Sequence, residues 1–174
     1  MFEFHRPLIK LSYLLFLFTI TLGSTSWALT GAAMPEEEQL QETATFDPLP
    51  MAESVHVVDL SNKMPPIGYQ TMNDCTAWAL ARVKSYHEAL DQGWKPDTPN
   101  HIFSPRFIYN QINRGKDKGS SPILTAKLLY DVGAATLQTC PYIPKDYLTP
   151  PTELALGEAK QFKIRDIALL KNIK

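Results

Sequence analysis

One segment of the chain sets its own boundaries. From Cys75 to about Leu90 apolar residues recur at helical spacing, Asn73 or Asp74 can cap the start, and Gly93 lies just past the end. Ala77, Trp78, Ala81, Val83 and Tyr86 give this helix an apolar side, while Arg82, Lys84, Ser85 and Glu88 give it a polar one. Whatever the chain folds into must pack this helix against a core, with Cys75 in its first turn. Two further helices announce themselves at Ser104-Pro105 and Ser121-Pro122, where a serine can cap and proline suits the first helical position. The first runs through Phe107, Ile108 and Ile112. The second runs through Ile123, Leu124, Ala126, Leu128 and Leu129 and closes at Gly133. The stretch from Trp94 to Ile102 reads as a proline-containing loop. Later, Pro141, Pro144, Pro150 and Pro151 keep the chain irregular, before a polar helix from Thr152 to about Lys160 and a strand from Phe162 to Leu169. There is no internal repeat.

The amino-terminal part is of another kind. Arg6 and Lys10 precede an apolar run from Leu11 to Leu22, followed by the small-residue site Ser26-Trp27-Ala28. That order predicts a secretory signal peptide over 1–28, and the run is too short to span a bilayer. Residues 29–54 carry Glu36-Glu37-Glu38 and Asp47-Pro48-Leu49-Pro50 without a sustained apolar period, which predicts a flexible acidic leader. The folded part is then 55–174, opening with an extended segment Val55 to Leu60 and a turn at Met64-Pro65-Pro66-Ile67-Gly68. The expected location is periplasmic or secreted, with no membrane association after the signal is removed. Of the whole chain, 44% is hydrophobic and 20% charged, and the formal net charge is -1. That balance gives no electrostatic reason to expect nucleic acid or an anionic lipid surface as partner. No metal or cofactor is expected. The two cysteines, Cys75 and Cys140, would by default form one structural bridge in an oxidising compartment.

The stretch from Gln70 to Leu80 suggests chemistry. A cysteine in the first turn of a helix sits where free backbone N–H groups and the macrodipole favour negative charge, hence the thiolate, the nucleophilic form. A glutamine a few residues upstream can fold back and offer its side-chain amide to a developing oxyanion, beside the cysteine's own N–H. Gln70, Cys75 and Trp78 are thus a coherent set, and Asp74 is the member that works against it, by repelling a thiolate.

Val58-Asp59-Leu60, the Pro65-Pro66 loop, Gln70 and Cys75-Thr76-Ala77-Trp78-Ala79 resemble the opening of bacterial members of the papain family of cysteine peptidases. The likeness continues in order: Phe103-Ser104-Pro105-Arg106-Phe107-Ile108-Tyr109 resembles the second helix of that fold's helical lobe. Gly119-Ser120-Ser121-Pro122, with the helix ending Asp131-Val132-Gly133-Ala134, resembles its substrate-binding strand and third helix. Cys140-Pro141-Tyr142 falls where the family has an aromatic residue before Pro-Tyr. The resemblance covers about Val55 to Leu169. It implies an α+β fold made of the helical lobe with short strands, the second, barrel lobe being missing. It also implies that Cys75 is the nucleophile and Gln70 the oxyanion-hole donor, and that Gly119 and Ser120 offer backbone hydrogen bonds to an extended peptide or protein substrate. Cys140 would lie away from Cys75, leaving two free thiols.

The sequence departs from the family in three places. Gln70 precedes Cys75 by five positions rather than six, the loop lacks the family's glycine, and Asp74 stands beside the thiol. The family's histidine and asparagine lie about 130–150 residues beyond the cysteine, past Lys174. Of His5, His56, His87 and His101, none takes the base position. The expectation is a truncated member, inactive as an isolated chain, which a complementary chain supplying the missing lobe could complete. The alternative is a non-catalytic exported domain that binds peptides or a partner, with Cys75 structural.

Overall fold

Both serine–proline starts form as local chemistry specifies. Helix α3, Pro105–Ile112, begins after Ser104, whose hydroxyl accepts from the Phe107 N–H. Helix α4, Pro122–Asp131, begins after Ser121, whose hydroxyl accepts from the Leu124 N–H. In each the proline sits in the first turn, where an N–H would have no intrahelical acceptor anyway. The computed structural model describes residues 31–47 and 59–170. Within them lie helix α1 (Glu37–Glu42), strand β1 (Ala44–Phe46), a 3-10 turn (Ser61–Lys63), helix α2 (Cys75–Gln92), α3, α4, helix α5 (Glu153–Ala159) and strand β2 (Ala168–Leu170). Helix α2 stops at Gly93, which takes the left-handed conformation at φ 70°. Helices α2, α3 and α4 pack on one another around Phe103, Phe107, Ile108, Tyr109 and Leu129, all nearly or fully buried.

The inward face of α2 differs from the apolar side read in its sequence. It buries Thr76, Ala77, Ala81, Lys84, Ser85 and Ala89, while Val83 is exposed and Trp78 half-buried. Small residues let α3 approach closely, and the polar residues are answered, Thr76 by the Ser120 hydroxyl. Ser85 Oγ donates to the Ala81 carbonyl at 2.7 Å and accepts from the Phe103 N–H at 2.9 Å. Lys84 pairs with Glu88, and its ammonium lies 5.8 Å from the centre of the Phe103 ring. Helix α5 turns Ala155 and Ala159 inward. Gly133 makes its crossing possible, since a methyl there would come within 1.8 Å of the Ala159 carbonyl oxygen.

Two expectations are corrected. The strand expected over Phe162–Leu169 is reduced to Ala168–Leu170. The apolar residues before it serve the core instead: Phe162 packs edge-on to Phe103 at 5.0 Å, and the Ile164 N–H donates to the Leu129 carbonyl. The leader, read as irregular, carries α1 and β1, and β1 pairs in parallel with β2 in the register Ala44↔Ala168, Thr45↔Leu169, Phe46↔Leu170. Glu36 supplies a cap that a reading from apolar period overlooks, forming a reciprocal capping box with Gln39. The signal peptide (1–28) and Val55–Val58 lie outside the described residues, while Asp59 and Leu60 have no regular structure. Among the described residues no helix is long and apolar enough to cross a membrane, and no group of three His, Cys, Asp or Glu could hold a metal.

Candidate active site

Cys75 is the first residue of α2 and is half-buried. Its N–H is one of the four at a helix start that have no intrahelical acceptor, so thiol and free N–H emerge together. The loop before it is fixed from three directions. The Thr71 N–H donates to the Tyr142 hydroxyl at 3.1 Å, and the Lys145 N–H donates to Thr71 Oγ1 at 3.1 Å. Asp117 Oδ1 accepts from the Asn73 N–H at 2.7 Å and from the Tyr109 hydroxyl at 2.8 Å, while Asn73 Nδ2 donates to the Asp117 carbonyl at 2.9 Å. None of Tyr109, Asp117 and Tyr142 was singled out from sequence as part of the site. Their contribution lies in contacts distant along the chain, which no local pattern displays.

Asp74, the residue expected to cap α2, does not do so: its side chain makes no capping bond. Its carboxyl is fully buried, and neither oxygen has a hydrogen-bond partner among the described residues. Burial pushes its pKa up to about 6; the nearby Tyr142 hydroxyl and Trp78 indole partly offset the rise and the Asp117 charge adds to it. Those neighbours are close without closing a hydrogen bond, and the Trp78 Nε1–H is likewise unpartnered. Tyr142 meets Trp78 edge to face at 4.9 Å.

Gln70 lies in this loop, half-buried, and its side-chain amide donates to the Met72 carbonyl at 2.7 Å. The amide is thereby held within the Cys75 loop. Ser120 is buried, and its hydroxyl lies 2.5 Å from that of Thr76, the residue after Cys75. This contact brings the Gly119–Ser120 segment to the start of α2. Gly119 has φ 91°, and its N–H donates to the Tyr109 hydroxyl at 3.2 Å. Both main-chain groups of Ser120 are already in use: its N–H donates to the Gly31 carbonyl at 2.9 Å and its carbonyl accepts from the Ala33 N–H at 3.0 Å. Residues 31–33 thus lie along Ser120 as a parallel peptide bridge centred on Ala32. They come close because both strands are bare at the crossing. A methyl on Gly31 would meet the Asn73 carbonyl oxygen at 2.3 Å and the Cys75 nitrogen at 2.6 Å, and a methyl on Gly119 would meet the Gly31 carbonyl oxygen at 2.7 Å. The small run Gly31-Ala32-Ala33 was the signal that could have pointed to this crossing.

The other groups considered lie elsewhere. His101 stacks on Trp94 at 4.4 Å and its Nδ1 is 3.0 Å from the Lys95 carbonyl oxygen; His87 packs against Tyr86. No described residue hydrogen-bonds to Cys75 Sγ. Cys140 is a free thiol like Cys75, buried, with its pKa pushed up by that burial. The Arg106 guanidinium reaches its sulfur at 3.6 Å and holds Asp146 through two N–H groups, at 3.0 and 2.6 Å.

Among solved structures the chain is similar to xylellain, a cysteine protease from Xylella fastidiosa. The TM-score is 0.54 at 21% identity, and the match covers 80% of this chain and 53% of that one. The chain thus spans about half the length of that structure, and what the likeness shows is a shared fold. No protein-family profile and no curated protein matches the chain.

Proposed function

We propose that this is the nucleophile-bearing, helical-lobe portion of a papain-like cysteine peptidase, in which Cys75 attacks a peptide carbonyl and its own N–H, with the Gln70 amide, receives the oxyanion. The observation that carries the reading is the peptide bridge on Ser120. An extended segment is hydrogen-bonded to that edge beside the first turn of α2, as a substrate on an exposed edge would be. The shared fold with a cysteine protease supports it. The acid–base partner belongs to a complementary lobe, carried by a longer form of this chain or by a second chain. General acid–base help is worth about 10²–10⁴-fold, so the 174 residues alone are expected not to turn over fluorogenic dipeptides. A papain-type epoxide, by contrast, should label Cys75 and spare buried Cys140. Peptide mapping after labelling decides the matter. Equal labelling of both thiols, or none at Cys75 even after residues 31–33 are released from the Ser120 edge, would sink the nucleophile assignment.

Export completes the reading, on the basic, apolar and small-residue order that ends at Ala28. Material recovered outside the cytoplasm should have the intact mass of a chain beginning at Leu29, and exported protein retaining Met1 would refute it. The second reading, a peptide- or partner-binding domain without catalysis, is favoured by one observation: the Ser120 edge holds a peptide segment while no described residue hydrogen-bonds to Cys75 Sγ.

A further inference from the structure

A pocket of about 330 Å³ opens at the end of the Ser120 edge, where residues 31–33 leave it and the chain continues through Met34 and Glu36. Its outer wall is the loop Asn113 to Gly119, which contributes Arg114, Lys116 and Lys118 to the lining. The loop's one acid does not face the pocket. Asp117 turns inward to Asn73 and Tyr109, while Lys116 and Lys118 on either side of it line the pocket. The loop is built to hold this arrangement. Arg114 and Gly115 both take left-handed conformations, at φ 53° and 71°, and buried Asn113 secures the turn. Asn113 Oδ1 accepts from the Gly115 N–H at 2.8 Å, and Nδ2 donates to the Tyr147 carbonyl at 2.6 Å. A non-glycine residue at positive φ is costly and persists only where its surroundings impose it. Among the described residues none of the three cations has an ion-pair partner. The residues that follow the paired segment are Pro35-Glu36-Glu37-Glu38, and Glu36 stands in the pocket wall.

We propose that this pocket is a carboxylate subsite for the peptide paired on Ser120, so that the edge selects acidic peptide segments; the chain's own Glu36 stands in its wall without an ion pair to any of the three cations. The proposal rests on the reading of that edge as peptide-binding. Exposed charges in water attract weakly, each pair contributing a factor of about two, and three together about tenfold. Such attraction is screened by salt, because the Debye length falls from about 10 Å at 0.1 M to about 3 Å at 1 M.

The test uses the full chain and the hydrogen exchange of the Ala33 and Ser120 amides, which report the pairing directly. Lys116→Glu with Lys118→Glu should speed both amides about tenfold at low salt. Adding Glu36→Lys and Glu37→Lys should restore slow exchange, and 1 M salt should abolish the difference. Unchanged exchange in the charge-reversed chain overturns the proposal. A second measurement carries it to other peptides. In a full-length Gly31→Val chain, a fluorescein-labelled peptide of residues 29–42 should bind about tenfold more tightly than the same peptide with lysine at 36, 37 and 38. Equal affinities overturn the acidic preference and leave the peptide edge standing. Binding of neither, or unprotected Ala33 and Ser120 amides in the unaltered chain, overturns the edge and the preference together.

Discussion

Replacing Asp74 by asparagine should stabilise the protein at pH 7.5 and leave it unchanged near pH 4. The Asp74 carboxyl is raised from 3.8 to about 6 by burial without a hydrogen-bond partner. The folded protein therefore holds that proton more tightly than the unfolded chain does. Below about pH 4 both states are protonated and nothing is lost. Between 4 and 6 the unfolded state sheds its proton first, and stability falls as pH rises; above 6 the whole difference is felt. At about 1.4 kcal/mol for each tenfold step in proton affinity, that difference is about 3 kcal/mol, or about 10 °C in melting temperature for a domain of this size. Asparagine keeps the shape and removes the charge, so its benefit should appear only on the neutral side. Thermal melts at the two pH values measure it. A gain of the same size at pH 4 would mean that the benefit does not come from the removed charge, and none at 7.5 would mean that the carboxyl is paired or neutral there.

Asp74 also marks where the sequence stopped being informative. Its position before a helix fits a capping residue, and side-chain capping is a local property that sequence usually displays. The two serines at 104 and 121 cap as their Ser-Pro pairs imply, because cap, proline and first turn lie within four residues. Gly93 ends α2 for the same reason. Asp74 fails because Tyr142 and Asp117 close over it from distant parts of the chain, beside Trp78 one turn along α2. The leader was illegible for a related cause. Six residues of α1 and three of β1 carry no apolar period; β1 is ordered by pairing with Ala168–Leu170, and the segment before α1 by the bridge of Ala32 to Ser120. The contacts of Gln39 with Ser121 and of Glu42 with Lys127 are equally remote. The inward face of α2 misled in another way. A period of large apolar residues suggested Val83 and Trp78, whereas close helix packing chose the alanines and tolerated Ser85 and Lys84 once each had a partner. Sequence could name only the chain-local candidates, Gln70, Cys75, Gly119 and Ser120. The supports of the candidate site, Tyr109, Asp117 and Tyr142, and its occupant, Gly31–Ala33, were not legible there.

That occupant sets the second large effect. Gly31→Val should raise the alkylation rate of Cys75 by iodoacetamide about 10- to 100-fold. Any Cβ at position 31 meets the Asn73 carbonyl oxygen at 2.3 Å, the Asn73 carbon at 2.4 Å and the Cys75 nitrogen at 2.6 Å. All are main-chain atoms of the start of α2, and none can swing aside as a side-chain tip would. Overpacking a well-fitted contact costs about 1–3 kcal/mol, and the cheapest relief is for residues 31–33 to leave the Ser120 edge. An equilibrium moved by about 1–3 kcal/mol changes the exposed population by about 10- to 100-fold, and a reagent that reads only that population changes in proportion. Cys140 supplies the control: it is buried in the core cluster and its reactivity should stay constant if the variant has merely released the segment. A rise at both thiols would report general loosening instead. Equal rates at Cys75 in the two proteins would show that the segment does not guard the thiol.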